Sequence, residues 1–369
     1  MTDWFQVSNE SDVPSPALLV YPDRIRENIR RMIAIAGGVE RLRPHMKTHK
    51  LAEVIRMQME QGITKFKCAT IAEAEMAADC GAADVLLAYQ PVGPNILRVV
   101  QLAKSFPKTK FSVIADEAGT IRALSSAFAK ENSGIDVLLD IDCGQHRTGV
   151  GPGPKAIELY RLIASSLPGL KPGGLHAYDG HIHDSDFGTR EKNCEAAFAP
   201  VSALRQELIQ AGLAVPRVVT SGTPTFAIHA KRSDVECSPG TCVFWDAGYT
   251  KNLPDLDFIP AAVLLTRVVS KPGTSRLCLD LGHKAVASEM PHPRVQFLNL
   301  PDAKAVAHNE EHLVIESAQA AAFKVGDCFY GIPWHICPTV ALHSEAVVVE
   351  NGKATTRWRI AARERRLTI

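Results

Sequence analysis

Apolar runs and helix-like stretches alternate along the chain as far as about residue 240. The runs are hydrophobic throughout, which is typical of parallel strands that are covered on both faces. Between them the apolar residues recur at helical spacing, for example over residues 71–78 and 199–210. The pattern predicts eight strands, at residues 42–47, 66–69, 85–88, 111–114, 137–141, 174–177, 218–220 and 235–237.

Strands that alternate with helices in this way predict an α/β chain with a (β/α)8 TIM barrel. After residue 240 the strand-like segments follow one another with few helical periods between them, and Asn351-Gly352 predicts a hairpin turn. We therefore predict a barrel domain over residues 22–240 and a C-terminal β domain over residues 241–369, joined by an N-terminal strand near Leu18 within residues 1–21. The predicted strands of the β domain are residues 261–269, 276–280, 313–316, 328–331, 344–349 and 355–360.

The composition narrows the class of partner. The 369 residues are 46% hydrophobic and 22% charged, and the net charge of +1 gives no electrostatic surface for nucleic acid or an anionic membrane. We expect a small-molecule partner instead.

The chain has no run of about 18 apolar residues and no signal-peptide pattern at its N-terminus, which predicts a cytoplasmic protein. The nine cysteines contain no CxxC pair and do not resemble a disulfide framework.

A basic octad, residues 43–50 (RPHMKTHK), stands at the end of the first predicted strand. Such a cluster is commonly a solvated loop, because folding normally leaves lysine in water. Lys47, however, falls at the inner end of a predicted barrel strand, where a lysine needs a chemical reason. Formation of a Schiff base with a cofactor aldehyde is such a reason, so Lys47 is our candidate for a covalent anchor.

Three further polar clusters follow predicted barrel strands at their carboxyl ends, where barrel enzymes place their reacting groups. Arg147 follows the fifth strand, residues 178–186 follow the sixth and residues 221–225 follow the seventh. Each cluster by itself is weak evidence. Their convergence with Lys47 on one rim predicts an active site there.

Two of these clusters suit an anion. In Ser221-Gly222-Thr223 a small residue lets backbone N–H groups approach a phosphate and the hydroxyls can add hydrogen bonds, although the same residues are equally typical of a turn that caps a helix. Arg147 suits an anionic ring oxygen or a carboxylate, and the alternative is a salt-bridged loop arginine.

Residues 176–184 (HAYDGHIHD) offer three histidines, a tyrosine and two carboxylates, which can exchange protons. We favour Tyr178 as a cofactor-facing ring and His181 or His183 as the proton-handling group, while a metal cluster is an open alternative. Further along, His335 and Cys337 stand two residues apart. On an extended segment both would point to one side and could hold one ion, and a nitrogen with a sulfur favours zinc in a catalytic site.

Five motifs, in this order along nearly the whole chain, resemble those of the fold-type III pyridoxal phosphate (PLP) enzymes, in particular the D-threonine aldolase and D-serine dehydratase branch. They are residues 43–50 (RPHMKTHK), 177–181 (AYDGH), 221–225 (SGTPT), 239–246 (PGTCVFWD) and 335–337 (HIC). The resemblance implies an alanine-racemase-like barrel with a β domain, a homodimer, and a PLP Schiff base on Lys47.

The resemblance also implies roles for the remaining candidates. Ser221, Gly222 and Thr223 would hold the phosphate of PLP, and Arg147 would be the arginine that contacts its ring. His335 and Cys337 would hold a divalent metal, which is zinc, manganese or magnesium.

The reaction that the resemblance implies acts on a β-hydroxy D-amino acid. We expect retro-aldol cleavage of D-threonine to glycine and acetaldehyde, with the metal lowering the pKa of the substrate hydroxyl and His181, His183 or metal-bound hydroxide removing its proton. Some D-threonine aldolases have an acidic residue where this chain has Cys337, which resembles the dehydratase pattern. The alternatives are therefore dehydration of D-serine to pyruvate and ammonia, a non-catalytic PLP carrier, and an amino acid racemase, which is disfavoured because its second-base tyrosine is not recognisable.

Overall fold

The computed structural model describes residues 3–165 and 167–369, and the contacts divide the chain into two compact units. We call residues 32–47, 55–240 and 364–369 the barrel unit, and residues up to 31 with 48–54 and 241–363 the β unit. Compared with the predicted domains, residues 22–31 and 48–54 belong to the β unit and residues 364–369 to the barrel unit. The domain boundaries themselves stay a prediction.

The regular elements follow one another in the order that the periodicity predicts for most of the chain. The strands are β1 (Ala17–Val20), β2 (Lys65–Cys68), β3 (Asp84–Leu87), β4 (Lys110–Ala115), β5 (Ile135–Asp140), β6 (Leu170–Ala177), β7 (Val218–Thr220), β8 (Glu236–Cys237), β9 (Ala262–Ser270), β10 (Arg276–Leu279), β11 (Val295–Phe297), β12 (Lys304–His308), β13 (Leu313–Glu316), β14 (Cys328–Pro333), β15 (Glu345–Glu350) and β16 (Lys353–Arg359). The α-helices are α1 (Pro22–Ala36), α2 (Ala52–Glu60), α3 (Ile71–Asp79), α4 (Pro94–Ser105), α5 (Ala118–Lys130), α6 (Pro154–Ala164), α7 (Phe187–Gln210), α8 (Phe226–His229), α9 (Ala247–Asn252) and α10 (Ile336–Leu342).

The barrel unit contains a parallel sheet in the order β2 to β8. Residues 42–46, which we call the bridging segment, close the ring, because Leu42 pairs with Cys237 of β8 and His45 pairs with Lys67 of β2. This confirms the (β/α)8 barrel and corrects one detail, since residues 42–47 do not form a regular strand. Pro44 explains the irregularity, as it has no N–H to donate to a strand ladder.

The bridging segment is anchored by a buried arginine. Arg43 has no exposed surface and pairs with Asp84 and Glu236, the first residues of β3 and β8, at 2.7 Å each. A planar guanidinium can satisfy two carboxylates at once in this way. The first residue of the basic octad is therefore structural, and it fixes the bridging segment that leads to Lys47.

The β unit is built on a sheet in the order β12-β13-β10-β9-β1-β15-β16, with β14 pairing to β9 and β11. Strand β1 lies parallel to β15 and antiparallel to β9, which confirms that the N-terminal strand joins this sheet. Asn351 and Gly352 connect β15 to β16 with φ angles of 51° and 70°, as a type I′ hairpin turn requires. Strands β11 and β12 were not predicted, because β11 spans only three residues and β12 is an edge strand without a buried residue.

The nine cysteines are free thiols. None of the helices over residues 3–165 and 167–369 is both long and apolar enough to cross a membrane.

Candidate active site

Two lysines lie near the carboxyl ends of neighbouring barrel elements. Lys47 follows the bridging segment and is half-buried, and its backbone N–H donates to His45 Nδ1 over 3.3 Å. Lys67 in β2 is fully buried, and its backbone pairs with the same segment. The sequence analysis missed Lys67, because it stood inside a predicted strand. The available signal was a charged residue within an otherwise apolar run.

The ring of Tyr178, just after β6, is confined by glycines. A Cβ on Gly180 would overlap the ring, and one on Gly222 would lie 3.1 Å from Tyr178 Cε2. Two cations face the ring, with the Arg147 guanidinium carbon 5.3 Å and Lys67 Nζ 5.5 Å from its centroid. The predicted cofactor-facing tyrosine and the predicted arginine are thus neighbours in the barrel unit.

The two candidate histidines differ in their surroundings. His181 is partly buried, and its Nδ1 is buried without a hydrogen-bond partner among the described residues. A Cβ on Gly144, in the loop that carries Arg147, would lie 2.9 Å from His181 Nε2, so this loop packs against the imidazole. His183 is exposed, and its Nδ1 lies 2.8 Å from the carbonyl of His181. Of the two, His181 therefore has the environment that suits a proton-handling group.

The segment of Ser221, Gly222 and Thr223 follows β7 and is fully buried. Ser221 has a φ of 72°, a conformation that is uncommon for residues other than glycine and that often occurs at functional sites. Its Oγ accepts from Ser238 N at 3.0 Å, and Thr223 Oγ1 accepts from Gly240 N at 3.2 Å.

Asp179, to which the sequence analysis assigned no individual role, holds this segment by hydrogen bonds. Its Oδ1 accepts from Gly222 N at 3.1 Å and from Thr225 Oγ1 at 2.9 Å, and its Oδ2 lies 2.9 Å from His229 Nε2. The Gly222 N–H is therefore engaged inside the protein. Burial opposes ionisation of Asp179, but these hydrogen bonds hold its pKa below the ordinary value. The sequence pattern included Asp179 only as one of two carboxylates in residues 176–184 and did not indicate its contacts with Gly222, Thr225 and His229.

Asp179, His229 and Cys194 also have the donor types of a metal site. The thiol of Cys194 lies 3.2 Å from His229 Nε2, and burial raises its pKa, which favours the neutral thiol. The 2.9 Å between His229 and Asp179 is a hydrogen-bond distance. The arrangement is better described as a buried hydrogen-bonded cluster than as the site of an ion.

His335 and Cys337 lie in the β unit, but not on an extended segment as expected. His335 is the N-cap of α10 and Cys337 stands in its first turn. The two side chains still contact each other, and Thr48 Oγ1 lies 3.1 Å from Cys337 Sγ.

Glu289, which the sequence analysis did not identify, lies 2.5 Å from His335 Nδ1. Burial lowers the pKa of His335, but the contacts with Cys337 and Glu289 outweigh it and raise the pKa to about 9. At the N-terminus of α10, the buried carboxylate of Asp246 accepts a hydrogen bond from Ile336 N at 3.0 Å. Burial raises the pKa of Asp246 to about 6. Metal-binding histidines commonly have a carboxylate on the ring nitrogen that does not bind the metal, so Glu289 fits that position.

Comparison with known proteins finds relatives over nearly the whole chain. Residues 20–247 match the alanine racemase N-terminal domain family, and residues 261–349 match the putative serine dehydratase domain. D-threonine aldolase of Arthrobacter sp. is 31% identical over 95% of this chain and 93% of its own length. 3-Hydroxy-D-aspartate aldolase of Paracoccus denitrificans is 30% identical over 96% of this chain and 93% of its own length.

A solved structure extends the comparison to the fold. The crystal structure of D-threonine aldolase from Filomicrobium marinum superposes with a TM-score of 0.88 and is 29% identical, covering 96% of each chain. Because the similarity extends over nearly the full length of these enzymes, the chain belongs to the alanine-racemase-like family of D-threonine aldolases and D-serine dehydratases, and it is a PLP-dependent lyase.

Proposed function

We propose that this lyase cleaves a β-hydroxy D-amino acid by a retro-aldol reaction, with D-threonine giving glycine and acetaldehyde. The observation that carries the proposal is the confined Tyr178 ring, which faces Lys67, a residue close enough to Lys47 for their charges to interact. This ring and the partly buried His181 lie in the barrel unit of a chain whose nearly full-length relatives include two aldolases.

The residues of the barrel unit fit PLP. Lys47 would hold it covalently, the hydroxyls of Ser221 and Thr223 would bind its phosphate, and Tyr178 offers a fixed flat surface. Arg147 would bind an anionic oxygen of the ring or a carboxylate. When bound, PLP supplies an electron-withdrawing ring that stabilises negative charge at the substrate Cα.

His181 would accept the proton of the substrate hydroxyl. Its buried, unpartnered Nδ1 leaves the ring with a nitrogen that the described residues do not use, and the packing of Gly144 holds the ring in place. His183 stays the alternative, but its exposure leaves it in contact with water. A positioned base of this kind typically contributes about 10²- to 10⁴-fold to the rate.

His335 and Cys337 fit a divalent metal, and zinc best among zinc, manganese and magnesium, because one nitrogen and one sulfur are its preferred donors. Glu289 would orient His335 by accepting from Nδ1. A metal here would lower the pKa of a hydroxyl or of water.

Dehydration of D-serine is the second candidate function. Two observations favour it, namely the sulfur of Cys337 beside His335 and the match of residues 261–349 to the putative serine dehydratase domain. The PLP-carrier alternative is set aside, because the chain is a lyase by its nearly full-length relatives.

Product analysis separates the two reactions. The purified protein, loaded with PLP, is incubated with D-threonine and with D-serine, each with and without zinc or manganese. We expect glycine and acetaldehyde from D-threonine, with a rate that falls after chelation. Pyruvate and ammonia from D-serine, with no turnover of D-threonine, would contradict the aldolase proposal and support the dehydratase.

A further inference from the structure

Lys67 is a buried lysine whose amine has no carboxylate in ion-pair contact within the described residues. Only 1% of its surface is exposed, and within residues 3–165 and 167–369 its Nζ has neither a hydrogen bond nor an ion pair. Its backbone is held by the bridging segment, because its N–H donates to Pro44 O and its carbonyl accepts from Met46 N, each at 2.9 Å. A buried ammonium group that lacks an anion is costly, so this position requires an explanation.

The charges around Lys67 do not supply the missing partner. Lys47 and Arg43 oppose its positive charge, while Asp179 and Asp140 favour it from beyond ion-pair distance. Burial, followed by the repulsion of Lys47, lowers the pKa of Lys67 to about 7. Lys65, on the same strand, differs, since its Nζ pairs with Glu236 at 2.7 Å. Lys67 is therefore an amine that can be charged readily once an anion arrives.

We propose that Lys67 binds the phenolate oxygen of PLP. This inference rests on the proposed attachment of PLP to Lys47 and on the proposed phosphate site after β7. It adds a cation to the cofactor site that neither the sequence motifs nor the comparisons assign.

The order of the barrel elements selects the phenolate over the phosphate. In PLP the aldehyde carbon stands between two ring positions, of which one carries the phenolic oxygen and the other the phosphate arm. The bridging segment that leads to Lys47 has β8 on one side and β2 on the other. The phosphate segment follows β7, the neighbour of β8. A ring with its phosphate toward β7 and β8 would turn its phenolic oxygen toward β2, where Lys67 lies.

The position relative to Tyr178 is consistent with this assignment. Lys67 Nζ and the Arg147 guanidinium both face the Tyr178 ring, which is the proposed flat surface for the cofactor. A cation beside the phenolate stabilises its ionised form through a charge-assisted hydrogen bond. Arg147 would then be left to bind the other anion that the site receives, the carboxylate of the amino acid.

The test compares two cofactors on four apoproteins. Equilibrium binding of PLP and of 3-deoxy-PLP, in which hydrogen replaces the phenolic hydroxyl, is measured for the unmodified protein and for Lys67→Met, Lys67→Gln and Lys65→Met. We expect both Lys67 variants to lose about 10- to 100-fold in affinity for PLP and at most a few-fold for 3-deoxy-PLP. Lys65→Met, the control on the same strand, should bind both cofactors as the unmodified protein does.

The outcomes are separable. A selective loss for PLP supports the proposal. Equal losses for both cofactors, or no loss, would overturn it, because Lys67 would then act only in folding or not at all. Lys67→Gln retains a polar side chain and serves where Lys67→Met fails to fold. If the unmodified protein itself does not bind PLP, the proposed cofactor site fails, and this result is distinct from failure of the Lys67 assignment.

Discussion

Tyr178 has a glycine on each side of its ring, and this confinement gives the candidate site a fixed surface. A ring that is already held in place loses little conformational entropy when a cofactor binds, so the confinement favours binding. The same packing predicts that a single methyl group next to the ring disturbs cofactor binding.

Gly222→Ala should weaken PLP binding about tenfold. The added Cβ would lie 3.1 Å from Tyr178 Cε2, and Gly180 on the other side leaves the ring no room to move away. The measurement is the dissociation constant of PLP from the apoprotein. Gly151→Ala is the matched control, since no atom lies within 4 Å of its Cβ position. Equal affinity in both variants would show that the ring does not border the cofactor.

His181→Ala should reduce kcat/KM by about 10²- to 10⁴-fold, whereas His183→Ala should keep most of the activity. The reason is the difference in environment, because only His181 combines partial burial with an unpartnered ring nitrogen. Steady-state kinetics with D-threonine measures the effect. The reverse ranking of the two variants would assign proton transfer to His183.

At the scale of the elements, the periodicity of apolar residues was sufficient for the barrel and for the N-terminal strand in the β sheet, because buried strands impose that pattern on the sequence. It was insufficient where a single residue changes the backbone. Pro44 makes the first barrel element irregular, and the segment of His335 and Cys337 begins a helix instead of extending a strand.

The candidate site was predictable to the extent that motifs mark it. Lys47, Tyr178 and the Ser221 segment stand in recognisable patterns, but Lys67, Asp179 and Glu289 do not. Their roles depend on contacts between residues far apart in the chain, such as Asp179 with His229, and one sequence does not reveal such pairs.

Asp179→Ala should lower the preference for PLP over pyridoxal, which lacks the phosphate, by about tenfold. Asp179 joins the loop after β6 to the phosphate segment and to α8, so its loss leaves Gly222 N and Thr225 Oγ1 without their shared acceptor. The measurement is the ratio of the two dissociation constants. Ser125→Ala in α5, which removes a partly buried 2.7 Å hydrogen bond to Pro168 O, is the control. A uniform loss for both ligands would indicate a general effect on folding.

For the whole molecule, the free energy of unfolding should depend on pH through buried histidines. Burial lowers the pKa of His49 to about 3, whereas an unfolded histidine has a pKa of about 6.5. His49 is therefore neutral in the folded chain, and its contribution to stability is complete above pH about 6.5 and is lost as the pH falls toward 3.

His49→Asn tests this dependence. The amide oxygen can replace Nδ1 as the acceptor of Leu51 N, which lies 3.1 Å from it, and the variant no longer titrates. Denaturant unfolding at several pH values should give a slope that is flatter by about 1.4 kcal/mol per pH unit between pH about 4 and 6. An unchanged slope would contradict the assignment of a neutral, buried His49.

The homodimer and the cytoplasmic location stay predictions.

The claim on which the proposed chemistry depends is that Lys47 carries the covalent link to PLP. Borohydride reduction of the PLP-loaded protein, followed by peptide mass spectrometry, measures it directly. We expect the pyridoxyl mass on the peptide that contains Lys47, and none on that peptide in Lys47→Ala. The label on Lys67 or another lysine, or no label at all, would contradict the proposed site.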